Sequence, residues 1–354
     1  MKVAIVGLPK SGKSTLYSAV TSSAVDPYAQ PDVHRAVVQV PDPRLDKLAK
    51  LFQPKKVIHA TIEFLDVPGY SLDDAKGRDD WHRVLPSVRQ AELLVVVARD
   101  FVNETVPAFR DRIDPAADFA AMWDELIFAD LDTVTTRVER LEKSLKKPTK
   151  THEAEKRELG LLQRCCEALE NEIPLASVIT TDDDRRGVSS FAFLTQKPLI
   201  CVRNVSDDQA GSAKGLSVDH VEASLALSAS IEAEIAALEH EDRSEFLADL
   251  GLEFPARDRL IQESYAACGL HSFLTTGSDE VRAWTIRKGA TAVEAAGKIH
   301  TDLAHGFIRA ETVAYDDLVA HAGLKGAKAA GKVRAEGRGY VVADGDVLNI
   351  LSSA

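Results

Sequence analysis

Three short clusters of glycine, lysine, hydroxyl and carboxylate residues carry the chemistry that this sequence can do. The first, Gly7-Leu8-Pro9-Lys10-Ser11-Gly12-Lys13-Ser14, has the spacing G-x-x-x-x-G-K-[ST], and Thr15 follows it. Glycines let the backbone from Pro9 through Lys10, Ser11, Gly12, Lys13, Ser14 and Thr15 curl, so that successive N–H groups surround a β-phosphate. A helix starting there adds positive potential. Lys13 is a point charge for the β- and γ-phosphates, and the Ser14 hydroxyl is placed to ligate Mg²⁺. The second cluster is Asp66-Val67-Pro68-Gly69. Asp66 can hold the same Mg²⁺ through a water, and Gly69 can donate its N–H to the γ-phosphate and turn when that phosphate leaves. Lys13 and Gly69 are thus the candidate catalytic groups, and Ser14 and Asp66 the candidate metal ligands. The third cluster is Asn204-Val205-Ser206-Asp207. The Asn204 carboxamide can meet the ring nitrogens of a purine, and the Asp207 carboxylate can accept from the N1/N2 edge of guanine. Val205 stands where a lysine would pack over the base, which argues against ordinary guanine recognition. Ser228-Ala229 can offer the base a backbone N–H.

These residues need a frame, and the hydrophobic pattern supplies one. Val3-Ala4-Ile5-Val6 is a short apolar run ended by Gly7, as expected of a buried parallel strand, and residues 15–20 read as helix. Residues 57–65 alternate loosely and read as one strand ending at Asp66. Residues 93–98 and 198–202 are further buried strands, and 225–230 is a last short strand and loop before a helix at 231–238. Between about 119 and 170 the texture changes. Leu126, Leu131, Val134, Val138 and Leu141 recur every three to four residues, then Lys146-Lys147-Pro148-Thr149-Lys150 breaks the run. A second helix starts near Glu153. An antiparallel helical arm follows from this spacing. Its tip is basic through Arg137, Arg140, Lys143, Lys146, Lys147 and Lys150, as a solvated surface or as a contact for an acidic partner such as ribosomal RNA. After residue 270 the chain turns to short strands, one helix at 292–299 and many glycines, which suggests a small α+β roll. Arg287, Lys288, Lys325, Lys328, Lys332, Arg334 and Arg338 make it a second basic segment, for RNA or protein binding or as a structural cap.

The 354 residues suggest two or three domains. A net charge of −12 disfavours a uniform nucleic-acid-binding surface, although a local basic face survives it. No apolar stretch approaches the roughly 18 residues of a membrane span, and nothing resembles a signal peptide, so a cytoplasmic protein with no membrane partner is expected. Cys165, Cys166, Cys201 and Cys268 fit no zinc spacing and read as reduced thiols.

Over nearly its whole length the sequence resembles the Obg-like ATPases, or YchF group. The phosphate loop through Thr15, the segment Val40-Pro41-Asp42-Pro43-Arg44-Leu45-Asp46-Lys47-Leu48 and the stretch Ser230-Ile231-Glu232-Ala233-Glu234-Ile235 are similar to that family. The most specific match is Glu280-Val281-Arg282-Ala283-Trp284-Thr285-Ile286-Arg287-Lys288-Gly289-Ala290-Thr291, continued by Gly306-Phe307-Ile308-Arg309-Ala310-Glu311, which resembles its TGS domain. The resemblance implies an α/β fold in three parts. A P-loop NTPase domain with a parallel-rich sheet occupies 1–125 and 180–270. An inserted antiparallel helical coiled-coil arm occupies 126–179, and a C-terminal α+β TGS-like domain 275–354. It also implies ATP hydrolysed in preference to GTP, Mg²⁺ as cofactor, and ribosome association.

The sequence departs from that family where hydrolysis is concerned. No threonine lies between Thr21 and Thr61 to serve the first switch, and residues 26–35 do not reproduce the family's pattern. The stretch Tyr70-Ser71-Leu72-Asp73-Asp74-Ala75-Lys76-Gly77-Arg78 differs from its glycine-rich loop, and Ser87 aligns with a histidine proposed to act in hydrolysis. His82 is the nearest substitute, and Tyr70 cannot position water as a glutamine does. Two readings follow. One is a slow Mg²⁺-dependent ATPase or GTPase acting as a translation-associated switch. The other is a non-hydrolysing nucleotide-binding adaptor working through the arm and the TGS-like domain.

Overall fold

A computed structural model describes residues 1–23, 32–71, 73–146 and 151–353. Its strands are β1 (Lys2–Val6), β2 (His34–Gln39), β3 (Lys56–Ile58), β4 (Thr61–Asp66), β5 (Leu93–Asp100), β6 (Leu199–Val205), β7 (Ala223–Leu227), β8 (Leu270–Thr276), β9 (Glu280–Arg287), β10 (Phe307–Ala314), β11 (Arg334–Glu336) and β12 (Asp346–Ser352). The chain divides into two compact units. One holds Met1–Ala36 and Glu63–Arg257, the other Val37–Ile62 and Asp258–Ala354.

In the first unit the sheet runs β2-β4-β1-β5-β6-β7, and β1 pairs in parallel with both β4 and β5. β6 pairs in parallel with β5 and β7. Continuous apolar sequence in β5 matches a strand buried on both faces. The register matters for function. Ile5 lies opposite Asp66, Arg99 opposite Asn204, and Asn204 opposite Leu227. Parallel strands in this register bring the loops that follow them to one edge of the sheet, where open α/β sheets bind ligands.

The arm is rooted in the core of the sheet, ahead of the texture change near residue 119. Its first helix runs Pro115–Ser144, with Pro115 in the first turn and the Asp114 carboxylate accepting from Ala117 N at 3.0 Å. The three-to-four spacing simply continues upstream. Phe119, Met122, Leu126 and Ala129 pack with Trp81, Leu85, Val96 and Leu199 in the core of the sheet. Farther along, Ile127, Val134 and Leu141 pack with Leu161, Leu162, Cys165 and Leu169 of the helix His152–Glu170. One buried ion pair fastens the arm. Asp130 is fully buried and accepts from Arg89 Nη1 at 2.8 Å, Leu194 N at 3.0 Å, Thr195 N at 2.8 Å and Thr195 Oγ1 at 2.9 Å. Part of the predicted basic charge is neutralised locally, because Arg137 pairs with Glu158 at 2.7 Å and Lys143 with Glu139 at 3.8 Å. Lys147 and Lys150 lie outside the described residues. No disulfide joins the four cysteines, and burial pushes the thiols of Cys165 and Cys201 up to about 11.

In the second unit the sheet runs β11-β10-β12-β8-β9-β3 and is mixed. β10 is antiparallel to β11 and β12, β8 to β9, while β12/β8 and β3/β9 are parallel. The single strand expected over 57–65 is two strands in two different sheets. Lys56, Val57 and Ile58 pair with Glu280, Val281 and Arg282. Thr61–Asp66 joins the other sheet, and the break falls at His59-Ala60, where Ala60 O accepts from Val40 N at 2.8 Å. Alternation carries through this corner, so the hydrophobic pattern hides it. Hence the segment 37–62, which the sequence reading placed within 1–125, groups with the C-terminal residues. Its helix Pro43–Phe52 is capped by Asp42, and Arg44 reaches Asp42 and Asp344 at 2.9 Å each. The helix Ala292–Ile299 opens on a capping box between Thr291 and Glu294 and buries Ala292, Ala295 and Ala296 beside Phe273, Phe307 and Leu348. Several basic residues here are also paired: Lys328 with Glu311 at 3.6 Å, Lys332 with Asp317 at 3.1 Å, and Arg334 with Glu336 at 3.4 Å.

Candidate nucleotide-binding site

β1 ends in the turn that the glycines make possible. Gly7 has φ +148°, and a Cβ there would lie 2.5 Å from Val97 O, so the loop runs against β5. Gly12 has φ +89° and caps the helix Lys13–Thr21; a Cβ there would lie 2.2 Å from Asn204 Nδ2. Both backbone shape and crowding therefore require glycine at position 12. The Lys13 ammonium is buried and donates to Leu8 O at 2.8 Å. Desolvation lowers its pKa to about 8, with the charge of Asp66 opposing the fall. Gly69 lies against this ammonium, since a Cβ on it would be 2.5 Å from Lys13 Nζ and 2.9 Å from Pro9 Cα.

At the other end, Asn204 is 4% exposed and ties two loops together. Its Nδ2 donates to Ser11 O at 3.0 Å, and its Oδ1 accepts from Ala229 N at 2.9 Å. The Asp207 carboxylate accepts from the Ser228 and Ser230 hydroxyls through the same oxygen, Oδ1. The Ser228 hydroxyl also caps the helix Ala229–Ala237 by accepting from Ile231 N at 3.3 Å.

Between these ends lies a cavity of about 970 Å³. Of the residues singled out in the sequence, Pro9, Lys10, Gly12, Lys13, Ser14, Thr15, Gly69, Asn204, Val205, Asp207 and Ala229 line it. Ser11, Asp66 and Ser228 are buried outside that lining. Sequence reasoning missed the wall made by Phe101, Val102, Asn103 and Val106. The signal was present as Arg99-Asp100-Phe101 ending a wholly apolar strand. Arg99 is 3% exposed, and a guanidinium that deep has to be answered by oxygens.

The residues considered for placing water are elsewhere. Tyr70 packs against the core of the sheet. His82 lines a separate cavity of about 390 Å³ with Arg78, Trp81, Glu125, Phe128, Ala129 and Asp132. Ser87 sits on the helix Ala75–Arg89, and neither it nor the other two lines the large cavity. Of the first-switch segment, residues 26–31 lie outside the described residues, as does Leu72 of the segment after Gly69.

The donor set suits a hard cation. Asp66 is 3% exposed, and its Oδ1 is buried with no hydrogen-bond partner. Ser14 is exposed on the cavity. Mg²⁺ beside a polyphosphate takes one or two such protein oxygens and fills the rest of its shell with phosphate and water. No cluster of three or more His, Cys, Asp or Glu side chains able to hold a metal occurs among the described residues. No described helix is long and apolar enough to cross a membrane.

Parallel strands, a glycine loop leading into a helix, and a carboxylate at the end of the neighbouring strand define a P-loop NTPase-like α/β fold. The solved YchF GTPase of Schizosaccharomyces pombe superposes with a TM-score of 0.84 at 29% identity, covering 99% of this chain and 97% of that one. Residues 2–125 match the family described as 50S ribosome-binding GTPase. Residues 270–352 match the C-terminal family of YchF GTPases, described as a protein of unknown function. The ribosome-binding ATPase YchF of Escherichia coli O157:H7 is 39% identical over 99% of this chain and 98% of its own length. That of Bacillus subtilis is 40% identical over 98% and 97%. The chain belongs to the YchF family.

Proposed function

We propose that this protein is a nucleotide-dependent switch of the translation machinery: it binds a purine nucleoside triphosphate with Mg²⁺, hydrolyses it slowly, and associates with the ribosome. The observation that carries the reading is the convergence of Gly12, Lys13, Gly69, Asn204 and Ala229 on one cavity. The loop amides and the Lys13 ammonium hold the phosphates, while Gly69 is close enough to Lys13 to sense the γ-phosphate. Asp66 and Ser14 would hold Mg²⁺, which when bound supplies neutralisation of the phosphate oxygens. Asn204 presents the base edge of the site and keeps the phosphate loop and the Ala229 turn in place.

Two features favour ATP over GTP. A guanine edge is read by a carboxylate with both oxygens available, but here Asp207 Oδ1 is taken up by two serine hydroxyls. Val205 is 2% exposed and has no cationic arm to lay over a base. Slow turnover is supported by the cavity lining, which among the described residues does not include Tyr70, His82 or Ser87, the side chains considered for placing water. The same observation favours the second reading, an adaptor that binds nucleotide without consuming it. The ribosome reading draws on the names of the relatives, ribosome-binding ATPases, and the arm and TGS-like segment are the proposed contact surfaces.

Calorimetric titration with Mg·ATP and Mg·GTP, and phosphate release by the wild type and Lys13→Ala, test the reading. Binding of ATP with slow release, both lost in the variant, is expected. Binding without release would select the adaptor, and no binding of either nucleotide would end both readings. Cosedimentation with ribosomal subunits in each nucleotide state tests the partner, and failure in every state would remove it.

A further inference from the structure

Arg99 is placed where it can govern the shape of the nucleotide cavity without touching a ligand. It is the last strongly buried residue of β5, opposite Asn204 in the register, and it does not line the cavity. Its guanidinium donates to three main-chain carbonyls on two loops. Nη1 reaches Lys10 O in the phosphate loop at 3.0 Å. Nε reaches Phe101 O at 3.1 Å, and Nη2 reaches Val106 O at 2.7 Å. The guanidinium also lies over the Phe101 ring, 4.2 Å from its centroid. The ring is near the phosphate loop in turn, with its Cε1 3.7 Å from where a Gly12 Cβ would sit.

Each contact uses a property of arginine. The guanidinium is planar and points its donors in fixed directions, so three bonds fix the relative position of three carbonyls. Charge-assisted bonds are stronger than neutral ones, and a buried cation cannot give them up without leaving the charge unanswered. Lys10 has φ +61°, a left-handed conformation that non-glycine residues adopt only when held there, and its carbonyl is the one Arg99 grips. The loop on the other side is closed on itself as well. Asn103 Oδ1 accepts from Thr105 N at 3.0 Å, Thr105 Oγ1 at 2.8 Å and Val106 N at 3.0 Å. Arg99 thus joins two pre-formed loops.

We propose that Arg99 is the positioning residue of this site: by bracing Lys10 against the Phe101–Val106 wall it sets the phosphate loop and the apolar wall at the spacing a nucleotide requires. The proposal rests on the nucleotide reading given above. Lysine at 99 keeps the charge but loses the fork, and methionine loses both, so the two variants separate electrostatics from geometry.

The test compares wild type, Arg99→Lys and Arg99→Met in the full chain. Calorimetry with a non-hydrolysable ATP analogue should show affinity weakened about tenfold or more in both variants. Amide hydrogen exchange of the nucleotide-free proteins should quicken in residues 7–15 and 101–106 together, while peptides from 270–352 exchange as in the wild type. Should Arg99→Met fail to fold, Arg99→Lys decides. Wild-type affinity and exchange in a folded variant would overturn the proposal. So would a lowered melting temperature with both of those unchanged, because that is the mark of a merely structural residue. If the wild type binds no nucleotide, the reading of the site falls, and the exchange comparison still judges the bracing of the two loops.

Discussion

The Lys13 ammonium has a pKa lowered from 10.5 to about 8 by burial, so its protonation can be followed through binding. Burial thus disfavours the charged form by roughly 3 kcal/mol. Below pH 8 Lys13 is protonated in both the folded and the unfolded chain, and this cost is fully present. Between pH 8 and 10.5 the unfolded chain holds more protons than the folded one, so the contribution of this residue to stability rises with pH. Phosphates entering the cavity place negative charge beside the ammonium and raise its pKa. The complex therefore keeps a proton that the free protein has lost. Triphosphate affinity should be full below pH 8 and fall by up to about tenfold per pH unit above it. Calorimetry between about pH 7 and 9.5, in two buffers of different ionisation enthalpy, measures this directly. It should show a proton taken up on binding that grows through pH 8 and vanishes in Lys13→Met. Affinity independent of pH over that range, with no proton uptake, would refute the argument that the site holds a desolvated ammonium in wait for phosphate.

Other substitutions report on the remaining parts of the site. Gly69→Ala would put a methyl 2.5 Å from Lys13 Nζ and 2.9 Å from Pro9 Cα, and about 1–3 kcal/mol of strain should appear as weaker triphosphate binding in calorimetry. Asn204→Ala removes the bonds to Ser11 O and from Ala229 N, and urea unfolding should show a loss of about 2–4 kcal/mol together with weaker nucleotide binding. Asp130→Ala leaves Arg89 without its buried partner, and about 3–5 kcal/mol should be lost in the same assay. His82→Ala and Ser87→Ala should leave nucleotide affinity unchanged and phosphate release within about twofold of wild type, as expected of side chains that do not line the cavity. A large fall in release for either would show that the helix Ala75–Arg89 takes a different position when nucleotide is bound.

Legibility in the sequence followed the range of the interactions concerned. The phosphate loop could be read because its shape depends on local backbone freedom, glycine at 7 and 12, and on a strand and a helix that flank it at once. Asn204 could be placed after a buried strand, but its two bonds could not, since Ser11 and Ala229 are brought to it only by the strand order. The Phe101–Val106 wall was missed for the same reason. Arg99 at the end of an apolar strand is its one local signal, and Phe-Val-Asn-Glu-Thr-Val becomes a wall only once β5 is known to lie between β1 and β6. Residues 57–65 misled because alternation is a property of single strands and says nothing about which sheet a strand joins. The helix that leads into the arm starts at Pro115, ahead of the texture change near 119, and an amphipathic helix that changes partners along its length keeps its period while it does so.

The described residues lining the cavity come from the end of β6 and from the loops and helix starts that follow β1, β4, β5, β6 and β7. Those loops are held by the sheet register, by the Asn204 bridge and by the Arg99 fork, so the surface that meets a nucleotide is set by the same contacts that hold the fold. The helix Ala75–Arg89 belongs to a different arrangement. It begins only after the segment that follows Gly69, and its Arg89 is locked to Asp130 of the long helix of the arm. Gly69 itself lines the cavity, and the helix Ala75–Arg89 that comes after it in sequence is tied at its far end to the first helix of the arm.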